Sequence, residues 1–189
     1  MRKAYPMRIQ YTTRTRSRSG LSLIEVLVVM ALLAVALTAM ADTVLTVTRL
    51  GPINAETGRA LDAARGMIET IRACPFDEVF VRFNAGGADD PDGPGTALGR
   101  HFSAPMLATR PGDADGFVGR VILPESGAAL REDIADPLLG MPRDLNGDSW
   151  IDGTDHRANY DILPISVIVE WSARNGDRQL TLCTELVRP

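Results

Sequence analysis

The sequence has almost no lysine. Lys3 is the only one, so apart from it every fixed positive charge is an arginine. Histidine is scarce as well, with only His101 and His156, and aromatic residues make up 5% of the chain. No Cys-x-x-Cys pair, no phosphate-binding glycine loop and no Gly-x-Ser-x-Gly elbow is present, which leaves enzymatic chemistry without its usual supports. Each histidine reads as a surface residue rather than a catalyst. Acid is missing from residues 1–20, where Arg2, Lys3, Arg8, Arg14, Arg16 and Arg18 give a charge of +6. Residues 21–189 reverse this, with fourteen arginines against all twenty-four acids, a balance of −10. A body of that sign is ill suited to neutralising phosphates, so no nucleic-acid partner is expected for it.

What is present begins with "GLSLIEVLVVMALLAVALTAMA", residues 20–41. From Leu21 to Ala41 the only charged residue is Glu25. About 20 apolar residues suffice to cross a bilayer. A carboxylate within them costs roughly 2.5–3.5 kcal/mol on insertion scales, so Glu25 needs a partner. The order basic, apolar, acidic predicts a cytoplasmic N-terminus and an exported body, which in a bacterium is periplasmic. A secretory signal peptide is one reading, since Ala39-Met40-Ala41 offers a small-x-small site before Asp42. The apolar run is too long for it, and Glu25 lies inside. A plain uncleaved anchor fits the length but gives Glu25 no purpose.

Gly20-Leu21-Ser22-Leu23-Ile24-Glu25 resembles the processing site of type IV prepilins and type II secretion pseudopilins. The resemblance implies cleavage after Gly20 by a membrane-embedded prepilin peptidase, which also methylates the new amine. Glu25 then stands fifth in the mature chain, as in that family; Leu21 replaces the usual first phenylalanine. It further implies that Glu25 pairs with the terminal amine of a neighbouring subunit, which offsets the desolvation of both. Partners so implied are the peptidase/N-methyltransferase, other pilin or pseudopilin subunits, an inner-membrane assembly platform and membrane lipid.

The expected organisation is a basic leader over 1–20, the membrane half of a helix over 21–41, its exported half over 42–74, and a head over 75–189. Ile53, Ala60, Leu61, Ala64, Met67, Ile68 and Ile71 recur at helical spacing. Gly51-Pro52 predicts a kink or break. Cys74-Pro75 closes the helix, and "IRACPFDEV" is similar to the helix end of PilV-like minor pilins. Residues 84–100 read as a loop, its Asp89, Asp90 and Asp92 solvated rather than metal-bound. "GFVGRVILPE" (116–125) is a strand candidate. "DILPISVIVEWSA" and "RQLTLCTELV" flank Asn175-Gly176 and read as a hairpin with one buried face. The fold class is α+β: a long N-terminal helix, membrane-spanning in its first half, on a small antiparallel sheet, as the resemblance implies for a pilin. An exported body permits a disulfide. Cys74 and Cys183 either bridge the helix end to the last strand or remain two buried thiols.

"DLNGDSWIDGTD" (144–155) places oxygen side chains at Asp144, Asn146, Asp148, Asp152 and Asp155, positions 1, 3, 5, 9 and 12 of a twelve-residue loop. Trp150 at position 7 offers its carbonyl, and Ile151 at position 8 is the expected apolar anchor. The pattern resembles an EF-hand loop of the dockerin kind, and the donors suit one Ca²⁺. Ser149 stands where glycine usually makes the sharp turn, and Asp155 is shorter than the usual glutamate. The flanking "LLGMPR" and "HRANYDILP" are poor helix formers, so a lone calcium loop is expected rather than a full EF-hand. Trp150 and Trp171 are taken as buried packing by default.

Overall fold

The computed structural model describes residues 22–189. The basic leader and the Gly20–Leu21 bond lie outside the described residues. The chain forms two compact units, one ending at Val47 and one running from Thr48 to Pro189.

Helix α1, Leu23–Arg72, supplies both units with helix. In the first unit, Leu23–Leu45 has a mean hydropathy of 2.6 and none of it is buried inside the structure. Apolar side chains are exposed all round, Leu32 at 66% and Val35 at 67% included. A helix apolar on every side belongs in a membrane or a large core. At 1.5 Å per residue it covers the roughly 30 Å of a hydrocarbon layer.

Helix α1 runs on through Gly51-Pro52 without a break in its assignment. Proline removes one rung of the ladder, and the neighbouring rungs carry the helix past it. The helix ends where expected. The N–H of Ala73 reaches Glu69 O at 3.0 Å, that of Cys74 reaches Ile71 O at 3.1 Å, and Pro75 then forbids another turn.

In the second unit a short helix follows, α2 at Phe76–Phe83, where the sequence reading assigns no element. Its Val79, Phe80 and Phe83 are buried, and Glu78 pairs with Arg82 one turn on at 2.6 Å. The strands are β1 (His101–Phe102), β2 (Gly119–Ile122), β3 (Glu125–Ser126), β4 (Ala129–Leu130), β5 (Ile162–Ala173) and β6 (Gly176–Val187). One antiparallel sheet has the order β1-β2-β5-β6, and β3 pairs with β4 alone. Gly119 leaves room for the Phe102 ring on β1, which a Cβ there would displace.

The expected hairpin is present, shifted by one residue. Ala173 pairs with Gly176, so Arg174-Asn175 is the two-residue turn, and Gly176 opens β6 at φ +108°. Glycine thus serves the first strand position, where a left-handed backbone is needed, rather than the turn centre. Along β6, Leu180, Leu182, Thr184 and Leu186 are half-buried, whereas Gln179, Cys183 and Glu185 are exposed, as the alternation predicts; Thr181, expected on the wetter face, is half-buried.

The core of this unit joins Ala60, Ala64 and Ile71 of α1 to Val121 of β2 and to Leu163, Ile165, Val167, Val169 and Trp171 of β5. Two alanines at zero exposure let the helix approach the sheet closely. The α+β expectation holds. Replacing Ile71, 1% exposed, by alanine is expected to destabilise the head by about 2–5 kcal/mol. Glu69→Ala, on the exposed side of the same turn, should stay within roughly 0.5 kcal/mol. Urea unfolding of the detergent-solubilised chain, followed by Trp171 fluorescence, measures both.

Candidate functional site

Two regions carry candidate chemistry, one in each unit. In the first unit the Ser22 carbonyl accepts the N–H groups of Glu25 (2.9 Å) and Val26 (3.2 Å), which starts the helix. Glu25 therefore sits in the first turn, where a carboxylate meets the positive end of the helix dipole. Among the described residues no cation pairs with its side chain.

In the second unit, residues 144–155 fold into a chain of side-chain-to-backbone turns. Asp144 accepts the N–H groups of Gly147 and Ser149, both at 2.7 Å. Asn146 accepts that of Asp148 (3.0 Å), Asp148 that of Trp150 (2.8 Å), and Asp152 that of Thr154 (2.7 Å). Ser149 adopts φ +71°, the left-handed conformation that glycine usually supplies at this position. No helix flanks the loop, as expected.

Several expectations for the loop need correction. Ile151 is no anchor; it is 51% exposed beside Trp150 at 75%. Only Trp171 is core. Asp155 is already committed: Oδ1 accepts the Leu130 N–H (3.1 Å) and Oδ2 the Arg157 guanidinium (2.6 Å). Arg157 reaches on to Asp89 at 3.0 Å. Among the described residues no three acidic, histidine or cysteine side chains converge into a metal-holding group. The oxygen-rich donor set suits a hard cation and Ser149 has the turn conformation, but the side chains as they stand do not gather around one.

Beneath the loop lies a residue that the sequence reading missed. Glu132 has zero exposure; its Oε1 accepts the N–H groups of Leu145 (2.7 Å) and Asn146 (3.3 Å). Its Oε2 is buried without a hydrogen-bond partner. His156, also buried rather than at the surface, brings Nε2 within 3.6 Å of that oxygen and 3.1 Å of Asp152 Oδ1. The isolated "RED" around Glu132 gives no periodic signal, so nothing in the sequence marked it as buried.

The two thiols are free in this structure. Cys74 Sγ donates to Thr70 O at 3.4 Å and Cys183 Sγ to Ser166 Oγ at 3.7 Å. Strand alternation explains the separation. Thr184 faces the end of α1, where it accepts a hydrogen bond from Arg72 at 2.9 Å, so Cys183 points to the other face of the sheet. Asp89, Asp90 and Asp92 organise their own loop. They hold Asn84 and Arg157, the Ala97 N–H, and Arg82 respectively.

Residues 15–41 match the prokaryotic N-terminal methylation motif. That match supports a type IV pilin-like family. No curated protein and no solved structure matches the chain. A motif of this kind implies processing by prepilin peptidase and assembly with other pilin subunits. With the apolar helix at Leu23–Leu45 it is consistent with a single-pass inner-membrane protein.

The loop carboxylates give an acid-stability prediction. Partial desolvation pushes the Asp144 carboxyl up, but the N–H groups of Ser149, Gly147, Asn146 and Asp148 outweigh it and hold it below the usual range. The Thr154 N–H, its hydroxyl and His156 hold Asp152 down against a smaller desolvation effect. Depressed carboxyls stabilise the fold above their unfolded pKa of about 3.9 and lose that contribution as pH falls through the folded values. Thermal unfolding in chelator should show Tm falling below about pH 4. In the Asp144→Asn/Asp152→Asn variant Tm should be lower at pH 7, with a shallower acid fall.

Proposed function

We propose that the chain is a structural subunit, a minor pilin or pseudopilin, of a type IV pilus or type II secretion filament. The observation that carries this reading is the methylation motif at residues 15–41 running straight into the apolar helix Leu23–Leu45. Prepilin peptidase cuts after Gly20 and methylates Leu21. The positive leader stays in the cytoplasm and the head is periplasmic. Glu25 then meets the Leu21 amine of a neighbouring subunit on the assembly platform. A carboxylate in hydrocarbon is costly alone and tolerable when paired, so assembly relieves a penalty that each free subunit carries. The second half of α1 laid on the head sheet is the arrangement a pilin would use, and the helix end at "IRACPFDEV" favours a PilV-like minor subunit.

Intact mass and N-terminal sequencing of the protein from a native membrane fraction test the processing step. The expected chain begins at Leu21 with one added methyl. A chain beginning at Asp42 would sink the filament reading. Glu25→Ala should leave cleavage intact and reduce recovery in sheared filaments by tenfold or more, on the order of the roughly 2–3 kcal/mol pairing it loses.

We also propose one Ca²⁺ at residues 144–155. Asp144, Asn146, Asp148, Asp152 and the Trp150 carbonyl would hold it, and Asp155 joins only if it exchanges Arg157 for the metal. Support comes from the donor chemistry and the left-handed Ser149. Calcium there would order the loop and brace the final hairpin. Millimolar calcium is expected to raise Tm over chelator by several degrees in the wild type, following mass action. Asp148→Ala should abolish that difference. If it keeps the same calcium response, the site is elsewhere.

A further inference from the structure

The β5–β6 turn and the start of the second unit's helix enclose a cavity of about 410 Å³ lined by Thr48, Ile53, Glu56, Arg174, Asn175 and Arg178, among others. That volume lies within the roughly 300–1,000 Å³ of small-ligand sites. Most head arginines are spent on carboxylates: Arg82 on Glu78, Arg110 on Glu170, Arg143 on Glu185 and Arg188 on Asp77. Arg174 and Arg178 differ. Among the described residues no carboxylate pairs with either guanidinium, although the head as a whole is acidic. The lining keeps a net positive charge in an otherwise negative body.

Chain length fixes where this cavity lies along the polypeptide. Thr48 is three residues beyond Leu45, the last residue of the apolar span. Three residues reach at most about 11 Å however the chain runs. The polar layer on each side of the hydrocarbon is roughly 5–8 Å thick. One wall of the cavity therefore begins at headgroup depth or just above it. A guanidinium offers a planar fork of donors that matches phosphate oxygens. Glu56, on the helix side, repels a bare phosphate but accepts hydrogen bonds from hydroxyl groups.

We propose that this cavity holds the headgroup of an anionic, hydroxyl-bearing phospholipid, its phosphodiester on Arg174 and Arg178 and its hydroxyls on Glu56. The inference rests on reading Leu23–Leu45 as membrane-spanning. Docked in this way, the hairpin fastens the head to the bilayer surface before assembly, and extraction into a filament must release it.

The test is hydrogen–deuterium exchange of the full chain in nanodiscs of phosphatidylcholine, with and without phosphatidylglycerol. Phosphatidylglycerol should slow exchange at residues 173–178 about thirtyfold, the scale expected of two arginines at an anionic surface. The Arg174→Gln/Arg178→Gln variant should lose this slowing while exchange in the rest of the head stays unchanged. Protection of residues 23–45 in both discs, with a hairpin indifferent to lipid, overturns the headgroup site and leaves the span reading intact. An unprotected 23–45 segment overturns both. Equal slowing by soluble glycerol phosphate in phosphatidylcholine discs makes the ligand a free phosphodiester and refutes the lipid. Slowing that follows chain concentration rather than lipid composition assigns the cavity to a second subunit and refutes it too.

Discussion

Strand β5 has no wet face along most of its length, and the architecture of the head follows from that constraint. Residues Leu163 to Val169 are all buried. One face, carrying Leu163, Ile165, Val167, Val169 and Trp171, packs with Ala60, Ala64 and Ile71 of α1. The other carries Pro164, Ser166, Ile168 and Glu170, which a sheet with one solvated side would leave wet. Shelter there is improvised. Cys183 reaches Ser166, Arg110 and Arg120 close over Glu170, and Pro137–Gly140 lie beside Pro164. Many of the long connections between β1 and β5 therefore have packing work to do, which is why a region so rich in glycine and proline is nonetheless folded closely against the sheet.

The two units solve opposite solvent problems with a single helix. From Leu23 to Leu45 the helix is apolar on all sides and finds no protein to bury it. From Ala60 to Ile71 it is amphipathic, with small residues toward the sheet and charge outward. A soluble helix obeys the second pattern, a lipid-embedded one the first. Glu25 breaks the first pattern at the one place where a helix dipole helps a carboxylate. The dipole contributes about 0.3–1 kcal/mol at an exposed terminus, less than the roughly 2.5–3.5 kcal/mol of insertion. Most of that cost is therefore left standing by the helix itself, and no cation among the described residues offsets it.

Legibility in the sequence tracked how local the governing physics was. The apolar span, the helix end at Cys74-Pro75, the β5–β6 hairpin and the alternation along β6 all depend on residues close in sequence, and all were readable. The turn shifted by one because Gly176 met a strand requirement that Asn-Gly statistics do not see. Helix α2 was missed because eight residues are too few for helical spacing to stand out once Pro75 has marked a stop. Glu132 and His156 were missed for a deeper reason. Burial of a charged side chain is decided by what folds over it, and the segments over Glu132 come from thirteen or more residues away. The separation of the two free thiols follows from strand parity, a fact of register that two cysteines in a sequence cannot reveal.

Residues 144–155 show how a loop with a metal-binding composition manages its charge. Asp144, Asp148 and Asp152 spend oxygens on backbone N–H groups, so each carboxylate is stabilised by its own turn. Asp155 faces Arg157, and Asp152 faces His156. Local donors and cations thus offset the charge of this loop within the chain itself. A cation entering must then offer more than those contacts. The exchange is closest to balanced at Asp155, since freeing it leaves Arg157 the second carboxylate it already holds, Asp89. Glu132 is the exception to the whole scheme: one oxygen fixes the start of the loop, and the other lies buried against His156 with no donor of its own. A buried acceptor left in that condition costs about 1–3 kcal/mol. That cost falls beneath the same twelve residues whose composition suggested a ligand.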